Sequence, residues 1–525
     1  MFNEINLKSK TLEKEINPLE RKRTGSYYTD NKLTDILVED LMKNVHKRIE
    51  DITFLEPCIG TGNFVFSYLN YIYRHYSLDK RLIKRIIKNI YVADINEMVL
   101  QFYRDNLKRL VKNIWNVEIL DSDLNIIDTG LIVNVKDKSL QYLNIHDIFQ
   151  NVQFDIIMTN PPYKNLKAEM KHYDNEFDYN NDKILYQKIN NTVKEKFKYC
   201  NDGILNLYKI FVEEILTNYS SQNSFISLLI PNTILTDKSC EKLRNLILKD
   251  YTIVAIRNIK ENNDFIDAKQ SMCNLLLKKD TLDYYNIKMY DDIKQSPKSI
   301  IRNIDIEYSE LGNPIINATN KEWNIIRKLR KDFPTIKELD FIKNLRGEFD
   351  LTLYKKYITE DSSNYPLIRG RHLQPYKIEN YEEYCDNEFI TVTKKLPYIR
   401  KDRIACQQVS NLNKKERIFF SYIPKNYILG NTCNFLSVDN NEYGIDLYNL
   451  LGILNSKMIN WYFKLFSSNN HIANYEIDSF PIVIESKDEL LKLSNSVKIM
   501  ISDNNFSIEK TSEINMIVNE LYKIQ

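Results

Sequence analysis

Along the first 290 residues the apolar positions fall into short unbroken runs, separated by stretches whose apolar positions recur at helical spacing. Ile52-Thr53-Phe54-Leu55, Ile90-Tyr91-Val92-Ala93, Phe154-Asp155-Ile156-Ile157-Met158-Thr159, Phe225 to Ile230 and Cys273 to Leu277 read as strands. Runs of this length, bounded by turn residues, suit strands buried on both faces of a parallel sheet. Helical patterns lie between them, from about Asn63 to Tyr76 and near Leu205 to Thr217, and a turn is expected at Pro231-Asn232. Strands alternating with helices predict an α/β domain with a Rossmann-like, doubly wound sheet.

Elsewhere the pattern is weaker. Lys164 to about Gly203 is rich in Lys, Asn and Tyr with few core signals and reads as a mobile insertion near the substrate. A polar region over 291–320 reads as a linker or peripheral hairpin, and Glu513 to Tyr522 has helical spacing again. A chain of 525 residues exceeds one comfortable core. The expected division is a catalytic domain over 1–290, the connecting region over 291–320, and a mixed α/β domain over 321–525.

Composition narrows the partners. With 73 basic and 71 acidic side chains the net charge is +2, so any positive groove must be local. Abundant Lys, Asn, Ile and Tyr beside only 11 glycines points to an AT-rich coding bias. Seven cysteines without paired C-x-x-C spacing give neither a disulfide framework nor a zinc site, and no metal is expected. There is no apolar run of the ~18 to 20 residues that a membrane span requires. Met1 to Glu20 is charged and lacks a signal-peptide core, so the expected location is a reduced cytoplasm without membrane association.

The chemistry concentrates at two loops. Asn160-Pro161-Pro162-Tyr163 directly follows a strand-like run, and Glu56-Pro57-Cys58-Ile59-Gly60-Thr61-Gly62 follows another. An amine on an aromatic ring is a poor nucleophile, because its lone pair is delocalised. An enzyme must therefore favour the pyramidal nitrogen as the transition state forms. The Asn160 side-chain carbonyl and an outward Pro161 carbonyl could accept from the two amine hydrogens, since both proline rings fix φ and neither donates. Tyr163 is then placed to stack on the ring. Glycines at 60 and 62 let the backbone approach a ligand, and the following helix N-terminus favours a negative group. Asp94 ends the next strand, where a carboxylate suits ribose hydroxyls. It lies 34 positions after Gly60, against roughly 20 in the dinucleotide fingerprint, and a third glycine is missing. A nucleoside ligand other than a dinucleotide fits better.

In these motifs the chain resembles, over nearly its whole length, the gamma-type, TaqI-like DNA adenine-N6 methyltransferases, whose catalytic motif it matches without departure. The resemblance implies S-adenosylmethionine as cofactor and duplex DNA as substrate, with the target adenine rotated out of the helix. It places Thr24-Gly25-Ser26-Tyr27-Tyr28-Thr29 over the cofactor, with Tyr28 and Thr29 as contacts and Thr29 at the methionine end. Glu56, Pro57, Gly60 and Gly62 match the family's loop, and Asp94 with Ile95 its ribose-binding position. Asp147 with Ile148 matches the adenine-binding position, for which Asp121 and Asp123 compete. By the same resemblance Asn160, Pro161, Pro162 and Tyr163 are catalytic, Asn160 also borders the cofactor, and Phe265 is the second aromatic against the base.

The region from 321 resembles the family's specificity domain. Arg346, Arg369 and Arg371 of Leu367 to Leu373, Lys394 and Lys395 of the basic stretch Lys394 to Arg403, and Arg417 are its candidate DNA contacts, while Trp461 reads as helix core. A companion restriction endonuclease is a possible partner. Only about 20 residues precede the first cofactor motif, leaving no room for a nuclease there. An RNA adenine methyltransferase, a protein glutamine-N5 methyltransferase and a catalytically silent DNA-binding subunit remain as alternatives.

Overall fold

The structure is a computed structural model that describes the chain apart from residues 16–28, 129–148, 150–151, 171–172, 174, 262–263, 267–269, 307–311, 412–413, 468–469 and 524–525. It forms two compact units, one within residues 1–317 and the other over 318–525.

The first unit is built on a nine-stranded sheet. Its strands are β1 (Phe54–Glu56), β2 (Ile90–Asp94), β3 (Asn125–Asp128), β4 (Phe154–Thr159), β5 (Ser220–Pro231), β6 (Thr252–Ile259), β7 (Met272–Lys278), β8 (Asn286–Asp291) and β9 (Ser299–Arg302). Their spatial order is β3-β2-β1-β4-β5-β7-β6-β8-β9. The first five are parallel, with Phe54 opposite both Ile90 and Ile156. β7 runs antiparallel between β5 and β6, which separates this sheet from the all-parallel 3-2-1-4-5-6 order. Parallel neighbours need crossovers, and the helices Asn63–His75, Lys80–Lys88 and Glu97–Trp115 supply them for β1 to β3. The chain runs outward from β1 to β3 and then returns to β4 on the other side of β1. The carboxyl ends of β1 and β4 therefore flank the point where strand order reverses, the position at which open α/β sheets bind ligands.

Three segments bear on readings of the weaker parts of the sequence pattern. Phe2–Glu15 is a helix, whose buried Ser9 donates to Thr61 in the loop after β1 (Oγ···Oγ1 2.6 Å). The supposed mobile insertion contains a 21-residue helix, Glu176–Lys196, capped by Asn175 and burying Leu185, Tyr186, Ile189 and Val193. Of the region over 291–320, read as a linker or peripheral hairpin, the part up to Arg302 lies in the antiparallel edge pair β8 and β9.

The second unit holds two four-stranded sheets. One has the antiparallel order β10 (Ile342–Arg346), β17 (Cys433–Val438), β14 (Arg403–Gln407), β15 (Phe420–Ile423). The other orders β11 (Ile358–Thr359), β13 (Tyr384–Cys385), β12 (Tyr365–Ile368) and β16 (Ile428–Leu429), with β12 and β16 parallel. Gly347 lies so close to Gly430 that a Cβ would stand 2.1 Å from its carbonyl oxygen. Helices Asn320–Asp332, Leu447–Leu454, Lys457–Phe466, Lys487–Ser502 and Ile508–Tyr522 complete the unit. Arg403 and Glu348 form a fully buried ion pair here, with Nη1 3.0 Å from Oε1. Among the described residues no helix is long and apolar enough to cross a membrane, and no group of His, Cys, Asp and Glu is arranged to hold a metal ion.

Candidate active site

Glu56 is the last residue of β1 and is 2% exposed. Burial pushes its carboxyl well above the usual carboxylate range, a Val65 backbone hydrogen bond opposes this, and the nearby charge of Asp94 adds to the rise. Its Oε2 has no hydrogen-bond partner among the described residues. A buried polar atom in that state costs stability unless something else satisfies it.

The loop after Glu56 is fastened to the end of β2. The Ile59 amide donates to the Ala93 carbonyl at 2.9 Å, and the Gly60 amide donates to Asp94 Oδ2 at 2.9 Å. The other carboxylate oxygen, Oδ1, accepts the Asn96 amide at 3.0 Å. Burial raises the Asp94 pKa, against these backbone N–H groups. Gly60 and Gly62 both have positive φ, 51° and 85°. At Gly62 a Cβ would also come within 2.9 Å of the Phe66 and Tyr103 rings, so glycine is required there by conformation and by space. Burial, together with Asp94 and Glu56, holds the Cys58 thiol well above its usual pKa, so it is no activated nucleophile.

Asn160 leaves the end of β4, and its Nδ2 donates to Thr29 Oγ1 at 2.9 Å. Thr29 is a meeting point. Its carbonyl accepts Asn63 Nδ2 from the helix after the glycine loop at 2.6 Å, it forms a single antiparallel bridge with Ile266, and the Asp30 amide donates to the Phe265 carbonyl at 2.8 Å. Pro161 is buried and Pro162 half-buried. Tyr163 is 7% exposed, and its hydroxyl donates to the Leu229 carbonyl on β5 at 2.7 Å. Phe265 is half-buried. The structure thus brings Thr29, Asn160 and the Phe265 segment together, and separately links Gly60 with Asp94.

Tyr28, Asp147 and Ile148 lie outside the described residues. Asp121 and Asp123 are corrected as cofactor candidates. Asp121 faces solvent and pairs with Lys108 at 2.9 Å. Asp123 is buried, which opposes its ionisation, yet the Leu120 amide, Lys84 and Lys88 hold its pKa down at about 2 and occupy its carboxylate. Two residues escaped the sequence reasoning. Asn63 tethers Thr29, and Asp128 ends β3 directly beside Asp94 in the sheet register. An acid closing the run Asn125-Ile126-Ile127 was the available signal for Asp128; nothing in the pattern marked Asn63.

In the second unit the expected DNA contacts separate by burial. Arg346, Arg371 and Lys394 are exposed. Arg346 Nε donates to the Asn431 carbonyl at 3.0 Å, and Lys395 Nζ to the Arg346 carbonyl at 2.6 Å. Arg369 is held by Glu383 through two contacts, at 2.6 and 2.5 Å. Arg417 is corrected. It is 2% exposed, its Nη1 donates to the Ser467 carbonyl at 2.6 Å, and its guanidinium lies over the Phe463 ring, so it belongs to the interior. Arg403, within the basic stretch, is equally interior. Trp461 sits on the helix Lys457–Phe466 and donates to Glu322 Oε1 at 3.1 Å.

Comparison with known proteins agrees with this division. Residues 88–265 match the Eco57I restriction-modification methylase family, and residues 365–482 the TaqI-like C-terminal specificity domain. The Type II methyltransferase M.CvrRI of Paramecium bursaria Chlorella virus XZ-6E is 23% identical over 348 residues, which cover 66% of this chain and 72% of that protein. Among solved structures, the Type IIL restriction-modification enzyme MmeI in complex with DNA superposes with a TM-score of 0.56 at 14% identity, over 97% of this chain and 78% of its own. A DrdV–DNA complex gives 0.55 at 12% identity, over 95% of this chain and 59% of its own. A nuclease-deletion mutant of the Type ISP enzyme LlaGI with a DNA substrate mimic gives 0.55 at 12%, over 92% and 55%. At such identities the structural likenesses speak for the fold, while the two sequence matches fall on successive parts of one chain, a restriction-modification methylase followed by a TaqI-like specificity domain, and support a likeness to the TaqI-like restriction-modification methyltransferases.

Proposed function

We propose that the protein transfers a methyl group from S-adenosylmethionine to N6 of an adenine turned out of duplex DNA, at a site chosen by its second unit. The observation that carries this reading is Asn160-Pro161-Pro162-Tyr163 at the end of β4, beside the glycine loop after β1 and with the Asn160 amide nitrogen already held by Thr29.

The residues at the β1 and β2 ends fit such a cofactor. Glu56 keeps a buried acceptor without a partner among the described residues, and the Asp94 oxygens retain acceptor capacity beyond the amides they bind. When bound, S-adenosylmethionine supplies an electrophilic methyl group. The chain's own part is to hold and orient the amine. Asn160 Oδ1 and the Pro161 carbonyl accept its two hydrogens and favour the pyramidal nitrogen, while Tyr163 and Phe265 grip the ring. Positioning and aimed dipoles then supply most of the acceleration. Extrusion of the base is a physical requirement, since an amine paired and stacked in a duplex is inaccessible and costs a few kcal/mol to expose. The specificity-domain match favours DNA over RNA, and Arg346, Arg369, Arg371, Lys394 and Lys395 are the residues proposed to meet it. The same reading makes the protein either the modification component beside a separate restriction endonuclease or a solitary methyltransferase, acting in the cytoplasm.

The test is sequencing, at single-molecule resolution, of DNA from a methylation-free host expressing the protein or Asn160→Ala. N6-methyladenine in one short context, present only with the unchanged protein, is the expected result. Methylated cytosine in its place would change the target base, and unmodified DNA beside methylated RNA or protein would change the substrate class.

A further inference from the structure

The proposed chemistry uses only the oxygen end of the Asn160 amide. The nitrogen end is engaged as well, because Nδ2 donates to Thr29 Oγ1 at 2.9 Å. An amide is planar, with oxygen and nitrogen on opposite sides of one carbon, so fixing one end aims the other. Thr29 makes a firm anchor. It is 5% exposed, Asn63 holds its carbonyl at 2.6 Å, and the adjoining backbone is joined to the Phe265 segment by the Thr29–Ile266 bridge and the Asp30 to Phe265 hydrogen bond.

We infer that Thr29 is a positioning residue for methyl transfer, whose hydroxyl oxygen holds the Asn160 amide with Oδ1 turned to the amine and whose backbone ties that orientation to the loop bearing Phe265. The inference rests on the reading of Asn160 as the amine acceptor. It departs from the family-derived expectation that Thr29 serves the methionine end of the cofactor. Without the hydroxyl, rotation of the amide by half a turn would present its N–H groups to an amine that itself donates, and the acceptor would be lost in that fraction of molecules. Valine has nearly the shape of threonine, keeps the backbone bonds to Asn63 and Phe265, and removes the hydroxyl alone.

The experiment compares wild type, Thr29→Val and Thr29→Ser by single-turnover methylation of a DNA duplex at saturating S-adenosylmethionine, with cofactor affinity measured on the same preparations. Thr29→Val should react about 10- to 100-fold more slowly, the scale of a misplaced catalytic group, with cofactor affinity within about twofold, a retention that also reports a folded site. Thr29→Ser should recover most of the rate. In an Asn160→Asp background, where both ends of the side chain accept and a half-turn rotation loses no acceptor, Thr29→Val should cost clearly less than in wild type. An unchanged rate in Thr29→Val, a loss confined to cofactor affinity, a Thr29→Ser variant as slow as Thr29→Val, or an equal loss in the Asn160→Asp background would each overturn the inference while leaving the proposed function standing. A wild-type protein that methylates no amine would overturn both.

Discussion

The Gly60 amide donates to Asp94 Oδ2 at 2.9 Å, and this bond joins the loop after β1 to the end of β2. One carboxylate therefore shapes the glycine loop and, in the proposed function, receives the ribose. Removing it should disturb both. Asp94→Ala is expected to weaken S-adenosylmethionine by about 1.5 to 3 kcal/mol, the range for hydrogen bonds to a charged group, and Asp94→Asn by less, because one acceptor oxygen remains. Titration calorimetry measures this directly, and an affinity unchanged in Asp94→Ala would remove the residue from the cofactor site.

A buried ion pair makes a different demand in the second unit. The side chains of Arg403 and Glu348 are both 0% exposed; Glu348 Oε1 also accepts the Leu429 amide at 2.9 Å, and Arg403 Nη2 donates to the Tyr427 carbonyl at 2.5 Å. Arg403→Met would strand a carboxylate in the interior, at an expected cost of about 3 to 5 kcal/mol. Arg403→Met combined with Glu348→Gln should recover part of that loss, since glutamine is neutral and still accepts the Leu429 amide. Denaturant melts of the full-length variants decide the matter: a double variant no more stable than Arg403→Met would mean that the stranded charge is not what destabilises.

These cases show where the sequence was legible. The strands of the first unit are apolar runs that end directly in the residues with chemical character, Glu56, Asp94 and Asn160, so fold and site could be read together. The helix Glu176–Lys196 was missed because its buried face is only Leu185, Tyr186, Ile189 and Val193 among polar residues. The helix Phe2–Glu15 buries just Ile5 and Ser9, and Ser9 is held by Thr61, 52 positions away. In the second unit the strands are two to six residues long, too short for a period to register. Nothing local distinguishes the interior arginines Arg403 and Arg417 from the exposed Arg346 and Arg371, because burial of a charge depends on partners such as Glu348 and Ser467 that are distant in sequence.

That distinction separates Arg371 from Arg417. Arg371 is mostly exposed, at 66% of its side-chain surface, while Arg417 is interior. Arg371→Ala should leave thermal stability nearly unchanged and weaken DNA binding; a lost phosphate contact would also lower the salt dependence by about one counterion. Arg417→Ala should instead lower the melting temperature by removing the Ser467 contact and the packing on Phe463. Binding isotherms at several salt concentrations, beside thermal melts, test the pair. The same response from both variants would refute the assignment by burial.

Glu56 gives a pH-dependent prediction. Its carboxyl titrates well above the ordinary range in the folded protein, chiefly because it is buried, with Asp94 contributing. The folded state then retains a proton that the unfolded chain has already released near pH 4.3. Stability of the ligand-free protein must therefore fall as pH rises from that value toward the folded-state pKa, because the folded state binds more protons throughout the window. Glu56→Gln cannot titrate there, and it still offers an oxygen to the Val65 backbone. Its melting temperature relative to wild type should rise steadily as the pH is raised from about 4.5 toward the folded-state pKa, while its affinity for S-adenosylmethionine falls. The two effects have one cause: a carboxyl group buried where its charge is disfavoured until a ligand pairs with it. Melting curves across that pH range, in the absence of cofactor, would show a constant difference between the two proteins if Glu56 were ionised in both states.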